Sequence, residues 1–416
     1  MANGALPDGW NWMTIGDVAD TTSGGTPSRK YPEYFEGTIP WVKSGELGDG
    51  LVSVTEEKIT KTAIKNSSAK IFPTGSVLVA LYGATVGKVG ILNIDAATNQ
   101  AVCALFPKNN SFIAKYMFYW LMSQRQDLIN KSMGGAQPNI SQGIVRSHPF
   151  PLAPLPEQER IVSRIEELFS DLDAGVAALE RVRAGLKRYK ASVLKSGCEG
   201  KLVNGNSGIG DGELPKGWQW VTVGDVSNFD VGYAFKSAEF TDKGIKLLRG
   251  DNIEPGSLRW IDTRYWSDEK LEPYKNLLID EGNIILAMDR PLISSGLKIA
   301  QAKKSDLPCL LVQRMARFRP NSSISNDYLF ITLQTQSFIA HLFKEQTGTQ
   351  LPHISAKDIM SFEIPLPPLD EQRRIVAEVE RRLSVVGEVE STVEAGLARS
   401  ARLRQSVLRS AFEGRL

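Results

Sequence analysis

The chain contains little cysteine and little histidine. Its 416 residues include three of each, the cysteines being Cys103, Cys198 and Cys309. The cysteines lie far apart and never form a C-x-x-C pair, which argues against both a disulfide framework and a zinc site. The histidines are not spaced as metal ligands either. We therefore expect three buried cysteines and no metal site in this chain.

Long apolar runs and a large net charge are also missing. No run approaches the roughly 18 apolar residues of a membrane span, and the opening MANGALPDGW lacks the charged-then-apolar pattern of a signal peptide. With 42% hydrophobic and 23% charged residues, the chain can bury cores of ordinary size. We expect a cytoplasmic, multi-domain protein without a membrane partner. The net charge of +2 does not by itself indicate a nucleic-acid binder.

Catalytic motifs are absent as well. The segment GATVGKVG (83–90) has three residues, not four, between Gly83 and Gly87, and Val89 stands where a phosphate-binding loop needs Ser or Thr. No G-x-G-x-x-G opens a helix. The chain also contains neither the Asn-Pro-Pro-aromatic motif of amino-methyltransferases nor a carboxylate cluster typical of nucleases. We predict a chain that binds and directs, with no catalytic residue.

Internal repetition is the main feature that is present, and it governs the architecture. Residues 155–202 match 369–416 at 18 of 48 positions without a gap, so that LPEQERIV returns as LDEQRRIV. LPDGWNWMTIGDV (6–18) returns as LPKGWQWVTVGDV (214–226), and GGAQPNIS (134–141) as GTQLPHIS (348–355). The offset is 208 residues for the middle pair and 214 for the other two. This difference predicts a net insertion inside the second globular half.

The repetition divides the chain into globular unit, helix, globular unit and helix, with a linker between the halves. The glycine-rich segment NGNSGIGDGE is typical of a flexible linker. The predicted segments are a first domain at 1–154, a helix at 155–203, the linker at 204–213, a second domain at 214–368 and a helix at 369–416.

Apolar residues recur at steps of four and three along both helices, the a/d heptad pattern of a coiled coil. The second pattern is weaker, because Arg382, Gly396 and Ser400 interrupt it. The predicted seam consists of Ile161, Ile165, Leu168, Leu172, Leu179 and Leu186 in the first helix and Ile375, Val379, Val386, Val393 and Leu403 in the second.

Helices of about 40 residues would be roughly 60 Å long, more than a globular domain requires. Each could lie against its own globular unit, or the two could pair with one another. Because the two halves are copies, we favour an antiparallel pair related by a pseudo-two-fold axis, with a globular unit at each end.

Both globular units contain short apolar runs divided by Gly, Pro, Asn and Asp, such as GSVLVALYG in the first and GNIILAMDR in the second. These runs read as strands. The predicted fold class is α+β, with two similar β-rich domains separated by two long antiparallel coiled-coil helices.

The paired LPxGWxWxTxGDV openings, PWVKSGEL, GSVLVALYGATVGKVGIL, GGAQPNIS and the repeated PLPEQERIV and PLDEQRRIV resemble the specificity subunit of a type I restriction–modification system. The resemblance covers essentially the whole chain. It implies two target recognition domains, each reading one half of a split, asymmetric site on double-stranded DNA, with the helices fixing the gap between the halves.

The resemblance also implies partners that carry the chemistry. Two methyltransferase subunits would dock on the helices and use S-adenosylmethionine to methylate adenine. Restriction subunits, which translocate and cut DNA, would join them and use ATP and magnesium. This chain itself would hold no cofactor.

Basic and amide side chains in the globular units are the candidates for contact with DNA, since Arg pairs with guanine and Asn or Gln with adenine. Residues 1–154 hold 13 basic and 11 acidic side chains and residues 214–368 hold 18 of each, so we expect modest binding by this chain alone. The candidates are Lys43, Tyr82, Lys88, Gln100, Arg249, Asn252, Arg290, Lys298, Arg317 and Arg319.

The polar residues that open each helix are candidates for docking the methyltransferase subunits, on the assumption that they are exposed. They could instead simply solvate the helix. These candidates are Glu157, Gln158 and Arg160 in the first copy and Glu371, Gln372 and Arg374 in the second.

Two other classes of function stay open from the residues alone. A helical adaptor would scaffold proteins without touching DNA, and a self-contained DNA-modifying enzyme would place an active site between the globular units. DNA binding by the complex separates the first from a specificity subunit, and activity of the chain without partners would favour the second.

Overall fold

The computed structural model describes residues 6–131, 139–203, 214–344 and 354–416. The chain divides into two units, the first made of 1–180 with 394–416 and the second of 181–393. Each unit therefore joins one β-rich domain to one part of each long helix. The division predicted from the sequence instead assigned the helices and the domains to separate segments. The predicted linker 204–213 lies outside the described residues, as does most of the repeated GGAQPNIS and GTQLPHIS pair.

The first domain contains eleven strands and four α-helices among its described residues. Its strands are β1 (Asn11–Thr14), β2 (Ala19–Ser23), β3 (Ile39–Val42), β4 (Gly50–Val52), β5 (Glu57–Ile59), β6 (Ile71–Phe72), β7 (Val77–Ala80), β8 (Val89–Leu92), β9 (Ala96–Thr98), β10 (Val102–Pro107) and β11 (Pro149–Leu152). Its helices are α1 (Ile15–Val18), α2 (Lys61–Lys65), α3 (Ala114–Asn130) and α4 (Gln142–Ser147).

Two sheets form the body of the first domain. One has the order β2-β10-β7-β8-β4 and the other β5-β3-β9-β6, while β1 pairs with β11. Strands β7 and β8 are buried along their whole length, which explains their continuous apolar sequences. The main core lies between the first sheet, α3 and the start of the long helix α5 (Leu155–Cys198).

The second domain repeats this plan with additions. Its strands are β12 (Gln219–Thr222), β13 (Ser227–Val231), β14 (Ile245–Leu248), β15 (Ile253–Glu254), β16 (Ser257–Leu258), β17 (Tyr265–Trp266), β18 (Ile284–Ala287), β19 (Leu292–Ile293), β20 (Gly296–Leu297), β21 (Ile299–Gln301), β22 (Cys309–Leu311), β23 (Met315–Pro320) and β24 (Glu363–Leu366). Its helices are α6 (Val223–Val226), α7 (Asn326–Thr332), α8 (Gln336–Leu342) and α9 (Ala356–Met360), and α10 (Leu369–Phe412) follows.

The sheets of the second domain match those of the first. The order β13-β23-β18-β21 corresponds to β2-β10-β7-β8, β17-β14-β22 corresponds to β5-β3-β9, and β12 pairs with β24 as β1 does with β11. The expectation of two similar domains with mixed helix and sheet is confirmed.

The repeated T-x-G-D phrase has a local structural cause. Thr14 caps α1 by accepting from the backbone N–H of Asp17, whose carboxylate accepts from the Thr14 N–H at 2.8 Å. Thr222 and Asp225 form the same capping box at α6. Between Thr14 and Asp17, a Cβ on Gly16 would lie 3.2 Å from the Arg146 carbonyl oxygen, so a larger residue would require α4 to shift by a few tenths of an ångström.

Backbone hydrogen bonds locate the predicted insertion. The Ala80 and Ala287 N–H groups donate to the Lys88 and Lys298 carbonyls, so the connection that follows the first strand has eight residues (81–88) in one domain and eleven (288–298) in the other. The hairpin β19–β20 occupies the longer version. Three more extra residues fall before β22, where 93–98 in the first domain corresponds to 303–311 in the second.

In each unit, the segments of α5 and α10 run antiparallel. In the first, Arg160 Nη2 donates to the Leu416 carbonyl at 2.7 Å, and Arg404 pairs with Asp173. As numbers rise along one helix, those of the contacted residues fall along the other. In the second, a Cβ on Gly197 would lie 2.9 Å from Val379, and the earlier residue Tyr189 contacts the later residue Arg382.

The predicted seam is buried mainly where a domain covers it. Ile161, Ile165, Ile375, Val379, Val386 and Val393 are buried, whereas Leu168, Leu172, Leu179 and Leu186 are half-buried. Leu403 is wrongly placed in the seam, because it is 41% exposed. Arg404, one residue or about 100° around the helix, is half-buried instead, and its guanidinium lies 4.5 Å from the centre of the Phe169 ring.

Candidate nucleic-acid interface

Because the two domains share one fold, equivalent positions can be compared, and three positions that carry predicted residues are equivalent in strand order and backbone hydrogen bonds. The first is the residue after β3 or β14. Lys43 and Arg249 both stand there, and the backbone N–H of each donates to a side chain three residues on, Glu46 Oε2 at 2.6 Å and Asn252 Oδ1 at 3.1 Å. A cationic side chain therefore occupies this strand end in both domains.

The second shared position is the residue before β8 or its counterpart β21. Lys88 and Lys298 both accept, through their backbone carbonyls, the N–H of the last residue of the neighbouring strand, at 2.9 and 3.0 Å. Both side chains are half-buried. A lysine thus ends the connection between these strands although the connections differ in length.

The third shared position lies two residues before β10 or β23. Gln100 and Gln313 both stand there, since the residues that follow them, Ala101 and Arg314, accept equivalent backbone bonds at 2.7 and 2.8 Å. Both glutamines are exposed. Gln313 was not among the sequence-based candidates, although the repeat placed it opposite Gln100.

In the second domain these three side chains line one open cleft of about 1060 Å³. Arg249, Lys298 and Gln313 share it with Arg290 and Arg314, and Asp251 and Asp289 also line it. Arg314 forms an ion pair with Asp289, and Arg249 Nη2 donates to the Asp262 carbonyl at 3.1 Å. Four cations against two carboxylates make the cleft basic, and such a surface attracts a phosphate backbone.

In the first domain the equivalent residues are held by more local contacts. The Thr26 hydroxyl donates to Gln100 Oε1. Partial burial raises the pKa of Tyr82, and a hydrogen bond with Gln100 opposes that change. Hydrogen bonds from Lys43 to Glu56 and Glu57, at 2.7 and 3.1 Å, raise its pKa and offset much of its charge.

Two predicted DNA contacts are wrong because the side chains are buried. Asn252 is fully buried, and its amide joins the Arg249 N–H to the Arg259 carbonyl. Arg317 is 1% exposed, donates to the carbonyls of Asn276 and Leu278, and pairs with Asp230. Both residues stabilise the domain from inside.

Arg319 belongs to the same internal network at its surface. It is exposed, and its Nε donates to the carboxylate of Asp230. Burial opposes ionisation of Asp230, yet the guanidinium groups of Arg319 and Arg317 bring its pKa below the ordinary value. Arg290, in contrast, lies at the cleft, where it precedes the hairpin β19–β20 with φ of 45°.

The glutamines predicted to be exposed at the helix starts are also buried, and this prediction was wrong. Gln158 Oε1 accepts from the Ile113 N–H at 3.0 Å, and its Nε2 donates to the carbonyls of Ser111 and Ala153. Gln372 makes the same three bonds, to Ser325, Ser323 and Pro367. The repeated E-Q-x-R phrase therefore fastens each helix to its domain.

The charged neighbours of these glutamines lie at or near the surface. Glu157 forms an ion pair with Arg160 at 2.8 Å, and the Trp218 indole N–H donates to Glu371 at 3.0 Å. Arg374 is exposed. These four side chains stay candidates for a protein contact.

Candidate metal ligands and cysteines of the described chain lie in residues 6–131, 139–203, 214–344 and 354–416. These ranges contain no cluster of His, Cys, Asp and Glu arranged to hold a metal ion. All three cysteines are buried, as expected, and burial raises each thiol pKa to about 12. In the described part of the chain, no helix is both long and apolar enough to cross a membrane.

The GATVGKVG loop uses its backbone N–H groups within itself. The N–H groups of Val86, Gly87 and Lys88 donate to the carbonyls of Gly83, Ala80 and Thr85 at 2.9–3.2 Å. A phosphate-binding loop directs such groups at its ligand. This loop is thus a turn between strands, in agreement with its lack of the full motif.

Comparison with known proteins agrees with this duplicated architecture. The family model for the type I restriction modification DNA specificity domain matches residues 7–180 and 215–384, once for each half. The chain belongs to this family. Members of the family recognise DNA, and the catalytic steps belong to partner subunits.

Individual relatives cover nearly the whole chain. The specificity subunit of the type I restriction enzyme MjaVIII from Methanocaldococcus jannaschii is 29% identical over 372 residues, spanning 88% of this chain and 84% of its own. The specificity subunit of the type I restriction enzyme EcoAI from Escherichia coli is 25% identical over 474 residues, spanning 94% of this chain and 80% of its own.

Solved structures share the fold. A chain from a study of complex assembly and conformational transition of a type I restriction–modification system aligns with a TM-score of 0.74 at 21% identity, covering 100% of both chains. The HsdS subunit from Thermoanaerobacter tengcongensis aligns with a TM-score of 0.56 at 22% identity, covering 100% and 99%. At these identities the likeness concerns the fold alone.

Proposed function

We propose that the two domains read the two halves of a bipartite, asymmetric sequence on double-stranded DNA. The observation that carries this proposal is the shared trio at the domain edge: Lys43, Lys88 and Gln100 in the first domain match Arg249, Lys298 and Gln313 in the second. The cations contact phosphates, and the amide reaches a base edge. Both domains then present two cationic side chains and a glutamine at equivalent strand ends.

The two halves of the site differ because the surroundings of the trio differ. Position 26 is Thr and its equivalent, 234, is Ala, while position 101 is Ala and its equivalent, 314, is Arg. The hairpin β19–β20 extends only the second domain. Different side chains beside the same framework select different base sequences, so the site is asymmetric.

The helices α5 and α10 set the number of base pairs between the halves and bind two methyltransferase subunits, through which restriction subunits join. Support comes from apolar side chains that remain exposed on the helical parts of the second unit: Val182, Tyr189, Val385 and Val389 are 37–53% exposed. Exposed apolar residues grouped on a surface are typical of protein contacts. Glu157, Arg160, Glu371 and Arg374 add charges near the helix starts.

The cofactors of the reaction act in the partner subunits under this proposal. S-adenosylmethionine serves methylation, and ATP and magnesium serve translocation and cleavage. We further propose that the complex works in the cytoplasm, where the DNA that it modifies is found.

DNA binding by the assembled complex tests the function. The chain is co-expressed with its methyltransferase subunits, and gel shifts compare DNA carrying the mapped site with DNA in which one half is scrambled. We expect the scrambled half to weaken binding by at least about 10³-fold, the lower range of specific over non-specific binding. Equal affinity for both DNAs would refute the proposal.

The cleft can be tested in the same assay. Substituting Arg249 and Lys298 together by Ala should weaken binding to all sequences and reduce its salt dependence, because two phosphate contacts are lost. The control is Lys357→Ala, which removes an exposed lysine outside the cleft and should leave affinity unchanged.

A further inference from the structure

An apolar cavity of about 420 Å³ lies in the second unit, away from the basic cleft. The end of α5 forms one wall, through Cys198, and α7 forms another, through Thr332. Trp220 and Phe362 also line the cavity. Its volume is large enough for one or two aromatic side chains.

In the first unit, aromatic side chains fill the region that is equivalent to this cavity. Phe412 is equivalent to Cys198 at the constant offset of 214 between the helices. Trp120 is equivalent to Thr332, because Tyr116 and Tyr328, four residues before each, donate to the carbonyls of Pro151 and Pro365, both at 2.8 Å. The Trp120 and Phe412 rings pack edge to face with centroids 5.1 Å apart.

The cavity therefore corresponds to two aromatic rings that the second unit lacks. In the first unit Trp12 packs beside Trp120, with centroids 6.2 Å apart, and is 37% exposed. Its counterpart Trp220 borders the cavity and is 53% exposed. An exposed tryptophan beside an unfilled apolar space is costly for a chain on its own.

Several polar groups of the lining already have partners within the chain. The hydroxyl of Thr332 donates to the Leu329 carbonyl at 2.8 Å, and that of Thr335 donates to the Thr332 carbonyl at 2.7 Å. At the rim, Lys201 pairs with Glu199 at 2.7 Å. Ser192, Gln336, Ser337 and Glu363 also line the cavity, but most of the lining surface is apolar, so the cavity fits an apolar group.

We propose that this cavity is a socket for an aromatic side chain of a partner protein, the methyltransferase subunit that binds beside the second domain. The inference rests on the proposed function for the identity of the partner. The chemistry of the occupant comes from the first unit, where Trp120 and Phe412 fill the equivalent space. Binding would also cover Trp220. Buried aromatic anchors of this kind dominate many protein interfaces.

Filling the socket with the residues of the first unit tests the inference. The variant Cys198→Phe with Thr332→Trp should melt at the same temperature as the parent chain or higher, because an apolar space is filled. Its affinity for the methyltransferase subunit, measured by titration calorimetry, should fall by about tenfold or more. The control Cys198→Ala with Thr332→Ser keeps the cavity open and should bind normally. Unchanged affinity of the filled variant would overturn the socket.

A second measurement applies even if the filled variant folds poorly. In a chain labelled with 5-fluorotryptophan, the Trp220 resonance is assigned by its loss in Trp220→Phe. It should shift when the methyltransferase subunit is added, and acrylamide should then reach it less readily. If the subunit binds and the resonance does not move, the socket is refuted while the proposed function stands. If the subunit does not bind at all, the proposed function itself fails.

Discussion

His148 is a buried histidine in the core of the first domain. Its side chain is 1% exposed, and burial lowers its pKa to about 4, with a smaller contribution from Lys131 and an opposing one from Asp127. Its Nε2 atom has no hydrogen-bond partner among the described residues. At the equivalent position the second domain carries Phe362.

This histidine makes the stability of the first unit depend on pH. The unfolded chain binds a proton near pH 6.5, whereas the folded chain does so only near pH 4. Stability is thus complete above about pH 6.5 and falls as the pH drops toward 4, by up to about 3 kcal/mol. Denaturant melts at several pH values measure this. His148→Phe, taken from the second domain, should remove most of the slope, and an unchanged slope would show that other groups cause it.

The paired glutamines give a prediction about specificity. An exposed glutamine can accept from adenine N6 and donate to N7. Gln100→Leu should relax the requirement for one base in one half-site, and Gln313→Leu the same in the other half-site, each with a loss of about 1–3 kcal/mol of discrimination. Methylation of a library with every base at each position is the readout. Relaxation in both halves from either single change would contradict the assignment of one domain to one half.

Residue types alone identified the candidate DNA-contacting residues only in part. Five of the ten candidates, Lys43, Lys88, Gln100, Arg249 and Lys298, fall at equivalent positions of the two domains, because duplication keeps a framework where a surface is shared. Arg317 and Asn252 look identical to surface contacts in a sequence. The burial of Arg317 depends on a partner far along the chain, Asp230, whereas the Asn252 amide bonds to the nearby backbone of Arg249 and Arg259.

At the scale of elements, the buried amides of Gln158 and Gln372 hold each long helix to its domain. Replacing either with Leu leaves three backbone groups without a partner, each costing about 1–3 kcal/mol when buried. We expect a loss of at least about 3 kcal/mol in the free energy of unfolding of the affected unit, measured with urea. Glu159→Ala, at an exposed neighbouring position, should change it by less than about 0.5 kcal/mol. If Gln158→Leu lowers the free energy of unfolding only slightly, the amide does not hold the helix to its domain.

The helices themselves were predictable in extent but not in packing. The expected starts at 155 and 369 agree with the observed helices Leu155–Cys198 and Leu369–Phe412. The heptad pattern wrongly placed Leu403 in the seam. Arg404, the next residue, packs there instead through its aliphatic stem, and its guanidinium contacts the Phe169 ring. Periodicity ranks residues by polarity and misses a half-buried arginine.

The spacing role of the helices predicts the effect of lengthening them. One heptad inserted after Glu180 and another after Val393, where the two units divide, adds about 10 Å, or about three base pairs. The gap in the recognised sequence should grow by that amount while both half-sequences stay the same. Methylation of DNAs with graded gaps measures it. Preference for the original gap would refute the spacing role, and a heptad in α5 alone serves as the mismatched control.

At the scale of the whole molecule, duplication accounts for most of what the sequence made predictable. The two halves keep the same capping boxes, buried glutamines and strand registers, and they therefore keep one fold. Because the family is defined by DNA specificity, the side chains at the edges of the two domains differ. The near-neutral net charge is consistent with a chain whose partner subunits supply part of the affinity for DNA. The cavity beside Trp220 could not be predicted, because it arises from the absence of two rings.

Replacing the second domain with a copy of the first tests the central claim most directly. Residues 6–154 fit in place of 214–368, since Leu6 matches Leu214 and Pro154 matches Pro368 at the two junctions. The chain is expressed with its methyltransferase subunits, and modified adenines are mapped by sequencing. We predict that the asymmetric motif becomes an inverted repeat of one parental half-sequence with the original gap. An unchanged asymmetric motif would contradict the assignment of one half-site to each domain.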